Sequence, residues 1–141
     1  MKKFQNNIPG YGVNDAVEVA ERLLHPDSKM LGEILDKNDW EYDSGTGKEV
    51  YNKIVSHNTV LLIYTYRPFW RYSKAIGYFD GKSMHMNLYK LPGLPLIDIV
   101  SNILHEKMHQ IGFGHGNNYK TEHKCKFSVP YWVSENVKRF L

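Results

Sequence analysis

Residues 96–115 read LIDIVSNILHEKMHQIGFGH, and this stretch decides the fold of the chain. Apolar residues recur in it at spacings of three and four, which is typical of an α-helix. Because its other faces are apolar as well, we expect the helix to be buried through the middle of a domain. Gly112 is placed to end the helix, since glycine adopts a left-handed conformation at little cost. The repeat is formed by Ile97, Val100, Leu104, Met108 and Ile111, and the other faces carry Leu96, Ile99 and Ile103.

Helical patterns also precede and follow this central segment. Residues 14–24 and 28–37 carry apolar side chains at helical spacing and are separated by Pro26-Asp27-Ser28. A shorter piece at 50–55 has the same character. Residues 129–141 contain Pro130 followed by a pattern that favours a closing helix.

The strands are predicted between these helical groups. Residues 60–66 form a dense β-branched and aromatic run that ends before Pro68, which is typical of a strand. Shorter candidates at 75–79 and 83–88 are joined by Asp80-Gly81, the strongest hairpin signal in the sequence. Residues 114–126 are polar and are predicted to form a loop.

Length and composition indicate one folded domain over residues 1–141. The chain is 42% hydrophobic and 13% aromatic, with ten Tyr and three Trp, so disorder is not expected. No repeat and no linker interrupts it. Together with the predicted elements, this favours an α+β domain with a small mixed sheet, N-terminal helices and the buried helix across the sheet.

The charge and the ends of the chain point to no particular partner. A net charge of +3, spread along the sequence, favours neither nucleic acid nor a membrane surface. The N-terminal residues lack the apolar core of a signal peptide, and no apolar run is long enough to cross a bilayer. The lone Cys125 has no partner for an internal disulfide. We therefore expect a cytoplasmic protein.

The central helix carries an HExxH pattern, His105-Glu106-Lys107-Met108-His109. Residues four apart on a helix project from one face, so both imidazoles can bind a single metal ion. His115 follows Gly112 and Gly114, which let the chain reverse, and is the candidate third ligand of a zinc site with one position left for water. Glu106 would take a proton from that water, which predicts metal-assisted hydrolysis.

The string HEKMHQIGFGH, residues 105–115, resembles HExxHxxGxxH, the zinc-binding signature of the metzincin metallopeptidases. The resemblance covers only residues 104–115. It implies a zincin-like fold with Zn²⁺ as cofactor, Glu106 as general base and a peptide or protein as substrate. It also implies an edge strand that binds extended peptide by backbone pairing, and we assign that role to residues 83–88.

The sequence departs from the metzincin pattern after the motif. Metzincins have a methionine-containing turn beneath the metal, whereas the last methionine here is Met108. The corresponding stretch is Phe127 to Trp132, similar to turns in short zincin-like proteins of phages and bacteria. Tyr131 in this stretch is a candidate for stabilising the oxyanion, with packing in the core as the alternative.

Two other functions remain open. The same water-activating chemistry suits a non-protein amide, such as one in cell-wall peptide. Alternatively, zinc stabilises a loop in a non-catalytic binding module. The interleaved aromatic and basic residues 64–72 suit single-stranded nucleic acid, but the small net charge argues against it. His123 and Cys125 are further possible metal ligands, and His85 is a possible substrate contact.

Overall fold

The computed structural model describes residues 2–36, 46–70, 74–114 and 128–140, which form a mixed α and β structure. Four strands and five α-helices are found in this part of the chain. In chain order they are β1 Phe4–Asn6, α1 Val13–Leu23, α2 Lys29–Asp36, α3 Gly47–Ser56, β2 Leu61–Tyr66, β3 Gly77–Phe79, β4 Ser83–Asn87, α4 Leu96–Ile111 and α5 Val129–Phe140. The α+β class is confirmed. None of these helices is long and apolar enough to cross a membrane.

The sheet has the strand order β1-β2-β4-β3. The three strands β1, β2 and β4 are parallel, and β3 runs antiparallel to β4. The predicted hairpin is confirmed, with Gly81 in the left-handed region at φ 96°. The prediction that residues 83–88 form the edge strand is wrong, because β4 pairs on both sides and β3 is the edge strand among the described residues.

The two faces of the sheet differ in chemistry. Alternate residues of β2 and β4 point into the hydrophobic core, which they share with α4: Leu61, Ile63, Met84, Met86, Ile99, Ile103 and Leu104. The other face carries Tyr64, Tyr78 and His85. The tyrosines remain exposed, by 38% and 44% of their surface.

Helix α4 lies in the core, as its apolar pattern predicts, and it contacts α1, α3, α5 and β3. It ends at Gly112, which has φ 118°. Hydrogen bonds fix its neighbour α5: Ser101 Oγ donates to the Ser134 carbonyl at 3.0 Å, and Trp132 Nε1 donates to the Ile34 carbonyl at 2.9 Å. The first bond holds α5 against α4, and the second holds it against α2.

A fully buried lysine connects α4 to the sheet. Lys107 Nζ donates to the carbonyls of Thr59 at 2.6 Å and Lys3 at 3.2 Å, and to Gln110 Oε1 at 2.5 Å. Gln110 Nε2 in turn donates to the Val60 carbonyl at 3.0 Å. These bonds place the middle of α4 against the residues that lead into β1 and β2.

Candidate active site

The two histidines of the HExxH pattern converge on one point. His105 and His109 lie four residues apart on α4, and their Nε2 atoms are 3.3 Å apart. The two rings stand at 71° to each other with centroids 4.9 Å apart. Two ring nitrogens at this separation either share a hydrogen bond or share an ion.

The end of α4 orients the second histidine. After Gly112 turns the chain, the Phe113 N–H donates to the Met108 carbonyl at 3.0 Å. The Phe113 carbonyl then lies 2.9 Å from His109 Nδ1. Because a carbonyl only accepts, Nδ1 carries the proton and Nε2 of the neutral ring keeps its lone pair. Burial lowers the pKa of His109 and favours the neutral ring, although the bond to Phe113 opposes this shift.

Glu106 is a buried carboxyl between these histidines in sequence. It is only 7% exposed. Burial penalises its charged form and raises its pKa to about 7. In the described part of the chain it makes no hydrogen bond or ion pair, and it faces two cavities of about 280 and 460 Å³. A carboxyl group with this pKa can both accept and return a proton near neutral pH.

Tyr131 lies beside the first histidine. It is in the first turn of α5, and its ring stands at 69° to the His105 ring with centroids 4.6 Å apart. It lines the smaller cavity together with Glu106. The structure thus brings together four residues that the sequence singles out: His105, Glu106, His109 and Tyr131.

The Nε2 atoms of His105 and His109 have a separation that suits two ligands of one zinc ion. Two imidazole nitrogens that bind one tetrahedral zinc at 2.0–2.1 Å are about 3.3 Å apart, which agrees with the separation of the Nε2 atoms. The predicted third ligand, His115, lies outside the described residues, as do His123 and Cys125. Within the described ranges, no three His, Cys, Asp or Glu residues form a group that could hold a metal ion.

Two residues beside the site were not predicted. Asn102 lies one turn before Glu106 on the same face of α4, and its Oδ1 atom is buried without a hydrogen-bond partner among the described residues. Gly77 of β3 packs on it: a Cβ atom there would lie 3.1 Å from Asn102 Oδ1 and 2.7 Å from the His85 carbonyl oxygen. Helical spacing from Glu106 was a signal for Asn102, whereas nothing local indicated Gly77.

His85 and Tyr64 lie away from the two cavities at Glu106. The His85 ring stacks on Tyr78 and Tyr64, with centroids 4.9 and 5.9 Å apart, and its Nε2 lies 2.7 Å from Asp80 Oδ2. His85 lines neither cavity at Glu106. Tyr64 and Tyr78 each place one ring face near His85 and remain partly exposed, and Phe69 and Trp70 of residues 64–72 are exposed as well.

The arrangement around α4 therefore combines two convergent imidazoles, a buried carboxyl group and a phenol ring at the mouth of a cleft. The two imidazoles could supply two of the ligands of a divalent metal, and the carboxyl group could move a proton to and from water beside them. The chain matches no protein-family model, no curated protein and no solved structure.

Proposed function

We propose that the protein is a zinc-dependent metallopeptidase of the metzincin type without the methionine turn. The observation that carries this proposal is the 3.3 Å separation of two Nε2 atoms with the buried Glu106 beside them. The alternative is that His105 and His109 are ordinary surface histidines without a function. It does not account for the Glu106 carboxyl group, which is buried without a partner in the described chain. Burying such a group costs free energy, which is typical of functional sites.

His105 and His109 would hold the zinc through their Nε2 atoms, and the sequence supplies His115 as third ligand. Bound zinc would polarise a water molecule and the substrate carbonyl. The Phe113 carbonyl accepts the Nδ1 proton of His109 and so would leave Nε2 free to bind the metal.

Glu106 would accept a proton from the attacking water and give it to the leaving nitrogen. A carboxylate at this position can take up that proton and release it again. The Tyr131 hydroxyl would donate a hydrogen bond to the oxygen that becomes negative in the transition state.

The edge strand offers a place for an extended peptide. Ile76 O and Asp80 N bond to β4, so by alternation the backbone groups of Gly77 and Phe79 point to the outer edge of β3. Among the described residues no strand pairs with that edge. Gly77 and Phe79 also line the cavity shared with His105 and His109. A peptide paired with them would lie across Glu106.

Elemental analysis of the purified protein tests the metal. We expect one zinc per chain in the wild type and loss of that zinc in His109→Ala. His25→Ala is a matched control, because His25 is an exposed histidine after α1 and should leave the metal content unchanged. Absence of zinc after reconstitution of the folded wild type would contradict the proposal.

A peptide-library digestion on the same samples tests the reaction. We expect cleavage by the wild type and none after treatment with a chelator or in His109→Ala. Zinc without peptide cleavage would favour the non-protein amide substrate or the zinc-stabilised binding module instead.

A further inference from the structure

The smaller cavity at Glu106 extends along a groove between α4 and α5. Three contacts show that these helices run past each other in opposite directions: Tyr131 to His105, Ser134 to Ser101, and Lys138 to Asp98. Asp98 precedes Glu106 by eight residues, which is about 12 Å along a helix. The cavity, of about 280 Å³, is lined from His105 and Glu106 at one end to Asp98 and Lys138 at the other.

Among the described residues, the far end of the groove holds more negative than positive charge. Lys138 Nζ lies 3.6 Å from Asp98 Oδ1 and 3.6 Å from Glu135 Oε1, so one ammonium group serves two carboxylates. The side chains of Asp98 and Glu135 are 34% and 58% exposed. A second cation can therefore reach them from solvent. The cavity lining between the two ends carries neutral polar groups, including Ser101, Asn102 and Ser134.

We propose that this groove selects a lysine or arginine side chain of the peptide held at Glu106, an inference that rests on the proposed function. A long flexible side chain with its charge at the tip can lie along the groove and bring that charge to Asp98 and Glu135. An acidic side chain would meet two carboxylates and is disfavoured. Asp98 and Glu135 are thus specificity-determining residues, and Lys138 is a competitor of the substrate cation.

Binding of small probes tests the inference without any turnover. N-acetyl-lysine methylamide and N-acetyl-norleucine methylamide have side chains of similar length and differ in the terminal charge. We expect the lysine probe to bind about fivefold more tightly to the wild type in an NMR titration, as befits a partly exposed ion pair. The shifts should fall on the amides of α4 and α5.

Variants at the far end sharpen the test. Asp98→Asn and Glu135→Gln should each lower the ratio between the two probes, and Lys138→Met should raise it by removing the competing ammonium. Glu18→Gln, on the exposed side of α1, is the charge-matched control and should leave the ratio unchanged. Equal affinities in the wild type, no detectable binding of either probe, or a ratio insensitive to Asp98 and Lys138 would overturn the inference.

Cleavage of peptides that differ only in lysine or norleucine separates this inference from the proposed function. Cleavage without a preference for lysine, together with equal probe affinities, would support the peptidase function and contradict the proposed specificity of the groove. A lysine preference in probe binding with no cleavage of any peptide would support the cation-binding groove and contradict the peptidase function.

Discussion

Glu106 and Lys107 are neighbours on α4, and burial shifts the pKa of each towards its neutral form, but the two residues differ in their hydrogen-bond partners. Lys107 has three oxygen atoms within 3.2 Å. Glu106 has no hydrogen-bond partner in the described part of the chain and faces a cavity. A satisfied buried charge stabilises one arrangement of the chain, whereas an unsatisfied one keeps a reactive group available.

The largest effect is expected from Glu106→Gln. The amide cannot accept the proton of the attacking water, so kcat/KM for peptide hydrolysis should fall about 10²- to 10⁴-fold. Zinc content should not change, and stability should be equal or slightly higher because a neutral group is cheaper to bury. Activity, zinc and urea unfolding should be measured on one preparation.

Glu33→Gln, an exposed position on α2, is the matched control and should leave all three quantities unchanged. Full activity of zinc-loaded Glu106→Gln would show that Glu106 is not the general base.

Lys107→Met should affect the other face of α4. Methionine keeps most of the apolar volume but removes the donor to Thr59 and Gln110, so we expect a loss of about 2 kcal/mol in the free energy of unfolding. Urea denaturation measures this loss directly. The exposed Lys48→Met is the control, and an unchanged midpoint for Lys107→Met would show that these hydrogen bonds contribute nothing to stability.

This contrast was only half visible in the sequence. The spacing of His105, Glu106 and His109 predicts that their side chains lie close together, because their positions on a helix follow from its period. Lys107 occupies a variable position of the pattern and reads as an ordinary surface lysine. Its burial depends on Lys3 and Thr59, which are 104 and 48 residues away. No local pattern contains that information.

The strands show the same division between local and distant information. The β3–β4 hairpin was predicted because Asp80-Gly81 specifies a tight turn. The short strand β1 was missed, since Phe4–Asn6 has too few residues to show alternation and is defined by its pairing with Leu61–Ile63. The edge strand was misassigned because the order of strands depends on which of them pair, and pairing is not a local property.

Gly77→Ala should disturb the Glu106 face through the backbone. The new Cβ atom would lie 2.7 Å from the His85 carbonyl oxygen, so β3 or β4 must shift. We expect a loss of about 1–2 kcal/mol in stability, the usual effect of overpacking, and weaker peptide hydrolysis. Urea unfolding and kcat/KM measure the two effects.

Gly32→Ala is the matched control on α2, where the added Cβ meets no atom within 4 Å. It should stabilise the protein by about 0.5–1 kcal/mol, because alanine favours a helix. Equal behaviour of the two variants would show that β3 tolerates a side chain at Gly77.

The smallest effect concerns Asp80, an exposed carboxylate that is fully satisfied. The Ser83 N–H, His85 and the Lys82 N–H stabilise its charged form and lower its pKa from 3.8 to about 2. Because the folded pKa is the lower one, the stabilisation is present above pH 4 and is lost as the pH falls through about 2. NMR titration of the Asp80 carboxyl carbon and the Ser83 amide should show this midpoint, and Asp80→Asn should abolish the response of Ser83. A midpoint near 4 would mean that the turn does not hold the carboxylate. The pKa values of Asp80 and Glu106 should move in opposite directions from their ordinary values, because hydrogen bonds stabilise the charge of the exposed carboxylate whereas burial penalises the charge of the other.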